Sequence, residues 1–188
     1  MERLLATAGA VFDTYGYTRA TVDLITAEAR VSTGTFYRYF RDKRQLLLVL
    51  VGEALDLLAE PLSILDLSRD PLSAIEGLIR EMLASGETWR AWREASAHDV
   101  ELAVHDRKIA AWVQAELVAA MERVGDCAGL RPDRDRAATA RVIILLLWQL
   151  SDETAIVPEP VVRAAVHMVH HALFVDGTRF LGEGGQSL

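Results

Sequence analysis

Between Thr21 and Arg44 the chain places two short amphipathic helical patterns, a tight turn and a basic, tyrosine-rich cluster within 24 residues. A helix-turn-helix needs this combination, because its second helix must enter a DNA groove while the first fixes its angle. Thr21 is a strong N-cap, and Asp23 puts a negative charge in the following first turn, where the helix dipole favours it. Val22, Ile25 and Ala29 recur at helical spacing and predict one apolar face. Ala29-Arg30-Val31 then breaks the pattern, and Ser32 caps a second helix with Thr33, Gly34 and Thr35 in its first turn. Phe36 and Phe40 are four apart, share a face and are expected to point inward. That leaves Thr33, Tyr37 and Arg38 or Tyr39 facing outward, and Gly34, without a Cβ, lets a phosphate or base edge come close.

Charge supports the same reading. From Arg30 to Arg44 five basic residues (Arg30, Arg38, Arg41, Lys43, Arg44) stand against one acid, Asp42, although the whole chain is formally −7. Residues 1–50 hold seven basic and five acidic side chains, a net of +2, so the remaining residues carry −9. A local basic patch is enough for nucleic acid, and an acidic body discourages indiscriminate coating of DNA. The bland reading, two packed helices with a solvated charged face, is open to the same residues.

The segment AGAVFDTYGYTRATVDLITAEARVSTGTFYRYFRDKRQLL resembles the DNA-reading part of the TetR-type bacterial transcriptional regulators, over about residues 2–50. The likeness rests on the whole succession: an opening helix, Gly-Tyr, a Thr-rich cap, the turn, Gly-Thr-aromatic-Tyr, and aromatic-x-x-Lys. By that resemblance Thr21 and Tyr37 are phosphate contacts, and Ser32, Thr33, Thr35, Arg38 and Tyr39 meet bases or nearby phosphates. Gly34 is the close-approach position, and Lys43 is a backbone clamp at the start of the next helix. The chain departs from the family at two places. Arg30 stands where Gly is usual in the turn, so either the turn differs or Arg30 gains a phosphate contact. Tyr39 stands where His is frequent, which bars any transfer of base preference.

The rest of the chain reads as all-α, with about nine helices: an N-terminal helix-turn-helix head (residues 1–44) and a larger C-terminal helical bundle (45–188) with a dimerisation surface. The first helix covers about 2–15 and stops at Gly16; a fourth runs from about 43 to Pro61 and is the one evident link between head and body. Asp70-Pro71 opens a fifth, and residues 87–104 and 106–125 read as two more, joined near His105-Asp106. An eighth covers about 134–151 and a ninth about 161–175, before a Gly-rich tail. In these last two, Val142 to Trp148 and Val161 to Phe174 are apolar nearly all round, so they are buried either in the core or against a second subunit. The resemblance implies the second, a homodimer through the last two helices, presenting two heads to double-stranded DNA with a palindromic operator.

In the middle helices Trp89, Trp92 and Trp112, with His98 or Asp99 as polar anchors, are candidates to line a pocket for an unknown small-molecule effector, which the resemblance implies; plain core packing is the alternative for each. His167 and His171 have the i, i+4 spacing of a zinc pair, but no Cys or carboxylate is near, so no metal or other cofactor is expected. The single cysteine, Cys127, has no basic neighbour and reads as inert. The longest apolar run, Val142 to Trp148, is far too short to span a membrane, and no signal peptide is evident. The chain is expected to be cytoplasmic. No nucleophile motif, HExxH or phosphate-binding Gly loop is present, so it reads as no enzyme. The expected function is a sequence-specific transcriptional regulator, a repressor released from DNA by an effector; the alternative is a helical dimerisation or scaffold protein whose head no longer binds DNA.

Overall fold

The computed structural model describes residues 1–124, 129–131, 134–151 and 157–175. Among them are nine α-helices: α1 (Glu2–Tyr15), α2 (Val22–Glu28), α3 (Thr33–Tyr39), α4 (Lys43–Ser63), α5 (Pro71–Ala84), α6 (Gly86–His98), α7 (Val100–Val124), α8 (Arg136–Ser151) and α9 (Glu159–Leu173). The all-α expectation holds. Cys127 and the Gly-rich tail lie outside the described residues.

Local chemistry sets most boundaries. The side chains of Thr21, Ser32, Asp42 and Asp70 each accept the backbone N–H three residues on, so α2, α3, α4 and α5 start where a capping residue satisfies an orphan donor. Gly16 ends α1 at φ 76 while its N–H donates to the Phe12 carbonyl.

Two boundaries differ from expectation. Pro61 does not stop α4; it sits in the last turn, and the helix runs on to Ser63. A proline so close to a C-terminus forfeits one hydrogen bond, to the carbonyl of exposed Leu57, which water can take over. The break between the sixth and seventh helices falls at Asp99 rather than near His105. Asp99 is extended (φ −128), and its Oδ1 accepts the N–H groups of Glu101 and Leu102, capping α7.

The head is α1 to α3 with the start of α4. Leu5, Ala8, Phe12, Ile25, Phe36 and Leu46 are buried together. In the body α5 packs on α9, and α7 on α8. An isolated antiparallel bridge between Leu130 and Phe174 ties the end of α9 to the chain before α8. Contrary to the sequence reading, α4 is not the one link between head and body. The helix α6 packs along both α1 and α4.

Candidate nucleic-acid interface

Phe36 and Phe40 are buried with ring centroids 5.5 Å apart, and they seat α3 on the head core. The opposite side presents Thr33, Gly34, Tyr37, Arg38 and Tyr39, all exposed; Tyr37 is 58% accessible. Helical spacing makes the two facts one, since residues four apart share a face and those between point away. The Arg38 guanidinium lies over the Tyr39 ring, 5.0 Å from its centroid, and donates to the Tyr39 hydroxyl at 3.1 Å. Stacking of this kind holds a planar fork in one orientation. Arginine so held can pair bidentately with a guanine edge or a phosphate.

Ser32 and Thr35 are engaged with each other. The Ser32 hydroxyl accepts the Thr35 N–H at 3.1 Å, and the two hydroxyl oxygens are 2.9 Å apart. Thr35 is half-buried, so this pair first of all builds the start of α3. Thr21 accepts the Leu24 N–H at 3.1 Å and is exposed, which leaves its own O–H as a donor. A Cβ on Gly34 would meet only Ser32 Oγ, at an ordinary 3.8 Å. Nothing within the chain therefore demands glycine there.

Arg30 has φ 52 and is the one described non-glycine residue with positive φ. The turn keeps the left-handed geometry that glycine normally supplies: Arg30 donates to the Ala27 carbonyl and Val31 to the Thr26 carbonyl, both at 3.0 Å. The Arg30 side chain is exposed.

Two of the five basic residues are engaged by groups of the chain itself. Lys43 Nζ donates to the carbonyls of Tyr17 (2.7 Å), Thr18 (3.1 Å) and Ala20 (2.9 Å), and it lies over the Tyr17 ring. An ammonium has three donors, and all three are spent on the α1–α2 loop. Lys43 thus clamps the chain's own backbone. Burial pushes its pKa below the ordinary lysine value, with the Glu94 charge acting in the opposite sense. Arg44 pairs with Asp99 and Glu101, each at 2.5 Å. Arg30, Arg38 and Arg41 remain as the exposed cations of this segment.

Sequence reasoning missed the partner of that loop. Glu94 on α6 accepts the N–H groups of Tyr17 at 2.7 Å and Thr18 at 3.0 Å. A Cβ on Gly16 would lie 3.0 Å from the Glu94 carboxylate, so positive φ and close approach both require glycine. Beside it Arg90 pairs with Asp13 of α1 and donates to the Ser151 carbonyl of α8. The head is therefore pinned to α6 by Glu94, Arg90 and, through Arg44, by Asp99. No local motif marks such pairs, which join residues some 55 to 77 positions apart.

None of the four candidate ligand residues lines a crevice found among the described residues. Trp89 and Trp92 are buried in the core. The Trp92 indole donates to Asp106 at 2.9 Å, while the Trp89 N–H is buried without an acceptor. Trp112 packs half-buried against the core, and His98 is exposed with Nδ1 2.8 Å from the Glu94 carbonyl oxygen. Asp99 serves Arg44 and the cap of α7. An apolar crevice does exist, between α5, α7, α8 and α9, and none of these residues lines it. That crevice is walled by aliphatic side chains.

Among the described residues no group of His, Cys, Asp and Glu is placed to hold a metal ion, and no helix is long and apolar enough to cross a membrane.

Residues 4–50 match the family described as bacterial regulatory proteins, tetR family. No curated protein matches the chain. Among solved structures, a transcriptional regulator from a Rhodococcus species superposes with a TM-score of 0.71 at 21% identity, over 93% of this chain and 97% of that one. The TetR family transcriptional regulator PfmR from Thermus thermophilus gives a TM-score of 0.70 at 19% identity, over 97% of both chains. At such identities the likeness establishes the fold. The match to the tetR family of bacterial regulatory proteins thus covers the head, residues 4–50, which is set on a body whose fold these solved regulators share.

Proposed function

We propose that the protein is a dimeric, sequence-specific DNA-binding transcriptional regulator, a repressor released from a palindromic operator by a small-molecule effector. The observation that carries this reading is the two-sided α3. Phe36 and Phe40 lock one face to the head, and Thr33, Tyr37, Arg38 and Tyr39 stand exposed on the other. Thr21, Arg30 and the Ser32–Thr35 helix start flank that face and supply hydroxyl, guanidinium and backbone donors for phosphates. Lys43 contributes indirectly, by fixing the loop that orients α2.

A second copy of the chain supplies what the body leaves bare. On α8, Ile143, Ile144 and Leu147 are buried while Val142 and Leu145 are 64% and 50% exposed; on α9, Val162, Val166 and Val169 are buried while Met168 is 62% exposed. Each helix thus spends one apolar face on its own core and keeps another for an equivalent partner. Residues 1–44 act as the reader, and residues 45–188 hold the dimer and effector sites. Effector control runs by population shift, with α6 as well as α4 carrying the change to the head.

The test is binding to the DNA flanking the protein's own gene, over a salt series, against random DNA. Selective binding that weakens with salt supports the reading. Equal, weak binding to both DNAs, repeated after selection from random sequences, overturns it and favours the scaffold alternative.

A further inference from the structure

Arg44 is held by more negative charge than a structural pin needs. Its two terminal nitrogens go to two different carboxylates, Nη2 to Asp99 Oδ2 and Nη1 to Glu101 Oε2, each at 2.5 Å. The other Asp99 oxygen, Oδ1, accepts the Glu101 and Leu102 N–H groups at the start of α7. One cation thus faces two anions, and the three side chains together are net negative. Arg44 lies in the first turn of α4, and only Phe40, Arg41 and Asp42 separate α4 from the recognition element α3. The first turn of a long helix, at the positive end of its dipole, otherwise favours a phosphate. Two carboxylate oxygens, one on each arm of the guanidinium, offer that fork what a phosphate offers it, a pair of anionic oxygens. The contact is open to exchange, because the Arg44 side chain is 41% exposed and that of Glu101 78%. An ion pair so wet contributes little to folding. Lys43, next to it, differs: its ammonium is held by three backbone carbonyls of the α1–α2 loop.

We infer that Asp99 and Glu101 mask Arg44 from DNA, as stand-ins for a phosphate, and that Arg44 is a latent contact to the DNA backbone. This rests on the DNA-binding reading of the proposed function and adds to it a residue outside the recognition face. The mask acts twice. It occupies a guanidinium that would otherwise meet a phosphate, and it sets a net negative cluster at the end of the helix that follows the reader. Asp99 is also the break between α6 and α7, and α6 packs along α1 and α4 of the head. A body state that closes this junction on α4 withdraws a cation from DNA, and one that opens it returns the cation.

The test is binding of the full chain to duplex DNA of random sequence, followed by fluorescence anisotropy across a salt series. A phosphate contact is blind to sequence, so this probe needs no operator. Asp99→Asn with Glu101→Gln removes both charges, and asparagine still caps α7. The double variant is expected to bind about three- to five-fold more tightly per head. Its salt dependence should steepen by about one phosphate contact per head. Glu101→Gln alone, at the more exposed carboxylate, should move both readings the same way by less. Adding Arg44→Gln to the double variant is expected to cancel the gain in affinity and in slope. That control separates a released arginine from the mere loss of two negative charges, and a gain that survives it overturns the inference. Unchanged affinity and slope in a double variant of normal helical content also overturn it. If the double variant does not fold, Glu101→Gln decides, and an unchanged slope there is the refutation. A parent chain that binds DNA while its variants gain nothing loses the mask alone. A parent and variants that bind no DNA of any sequence lose the regulator reading and the mask together.

Discussion

At the scale of single residues, Arg30 and Gly34 each separate folding from DNA binding. A left-handed conformation costs a non-glycine residue about 1–2 kcal/mol, whereas glycine in its place costs about 0.5–1 kcal/mol of chain entropy. The first outweighs the second, so Arg30→Gly should stabilise the head by about 0.5 kcal/mol, read as a rise in the denaturant midpoint. If the Arg30 side chain earns its strained backbone by holding a phosphate, the same variant should lose operator affinity and lower the salt slope by about one. Unchanged affinity and slope would show that Arg30 is merely tolerated. Gly34→Ala tests the close-approach position from the other side. A Cβ there meets nothing closer than Ser32 Oγ at 3.8 Å, and alanine is the better helix former. Stability should hold or rise slightly, while operator affinity falls by about ten-fold, roughly 1.4 kcal/mol. A variant that binds the operator as well as the parent would remove Gly34 from the interface.

At the scale of elements the decisive contact is α6 against the head. Glu94 is the single acceptor for two N–H groups of the α1–α2 loop, and Lys43 takes that loop's carbonyls from the opposite side. Glu94→Ala should cost about 1–2 kcal/mol, because the half-buried Tyr17 N–H loses its acceptor. The contact is also acid-sensitive. Burial raises the Glu94 pKa, but hydrogen bonds from Thr18 and Tyr17 and the nearby His98 outweigh it, and the net shift is downward. A carboxyl whose folded pKa is depressed contributes its stability above the ordinary carboxylate value. It loses that stability as pH falls through the folded pKa. Head-to-body docking should therefore be constant near neutrality and loosen only at acid pH. Glu94→Gln, which cannot titrate, should flatten the stability-against-pH curve in that acid window; an unaltered curve would mean that the contact does not hold the head.

At the scale of the whole molecule, affinity for a palindrome depends on two heads held at a fixed separation, about 34–36 Å for one helical turn of DNA. In the proposed dimer the bare faces of α8 and α9 would hold that separation. Met168→Glu and Leu145→Glu place a charge in each face without touching the subunit's own core, since both side chains are at least half exposed. Sedimentation should show a monomer that keeps its helical content, and operator binding should fall well beyond ten-fold, because one head alone has half the contacts. A variant chain that remains dimeric would place the dimer surface elsewhere. Charge acts at this scale too. With Arg44 paired to Asp99 and Glu101, the exposed cations of residues 30–44 are Arg30, Arg38 and Arg41, so each head neutralises fewer phosphates than its composition implies. Non-specific binding should accordingly be weak at physiological salt.

The sequence by itself determined the helices and the two-sided recognition element. Capping residues, the Phe36–Phe40 spacing and the Gly16 stop are local, acting within one or two turns, and they are legible in a single chain. Even the left-handed turn at Arg30 was marked by a residue out of place. What only the tertiary structure decided was where long side chains go. Lys43 and Arg44 read as DNA-facing charge, yet each has partners within the chain, carbonyls for one and carboxylates for the other. The α6 brace and the aliphatic crevice depend likewise on residues far apart in sequence. Periodicity reports the face that a residue occupies; the partner waiting across that face is fixed only when the helices pack.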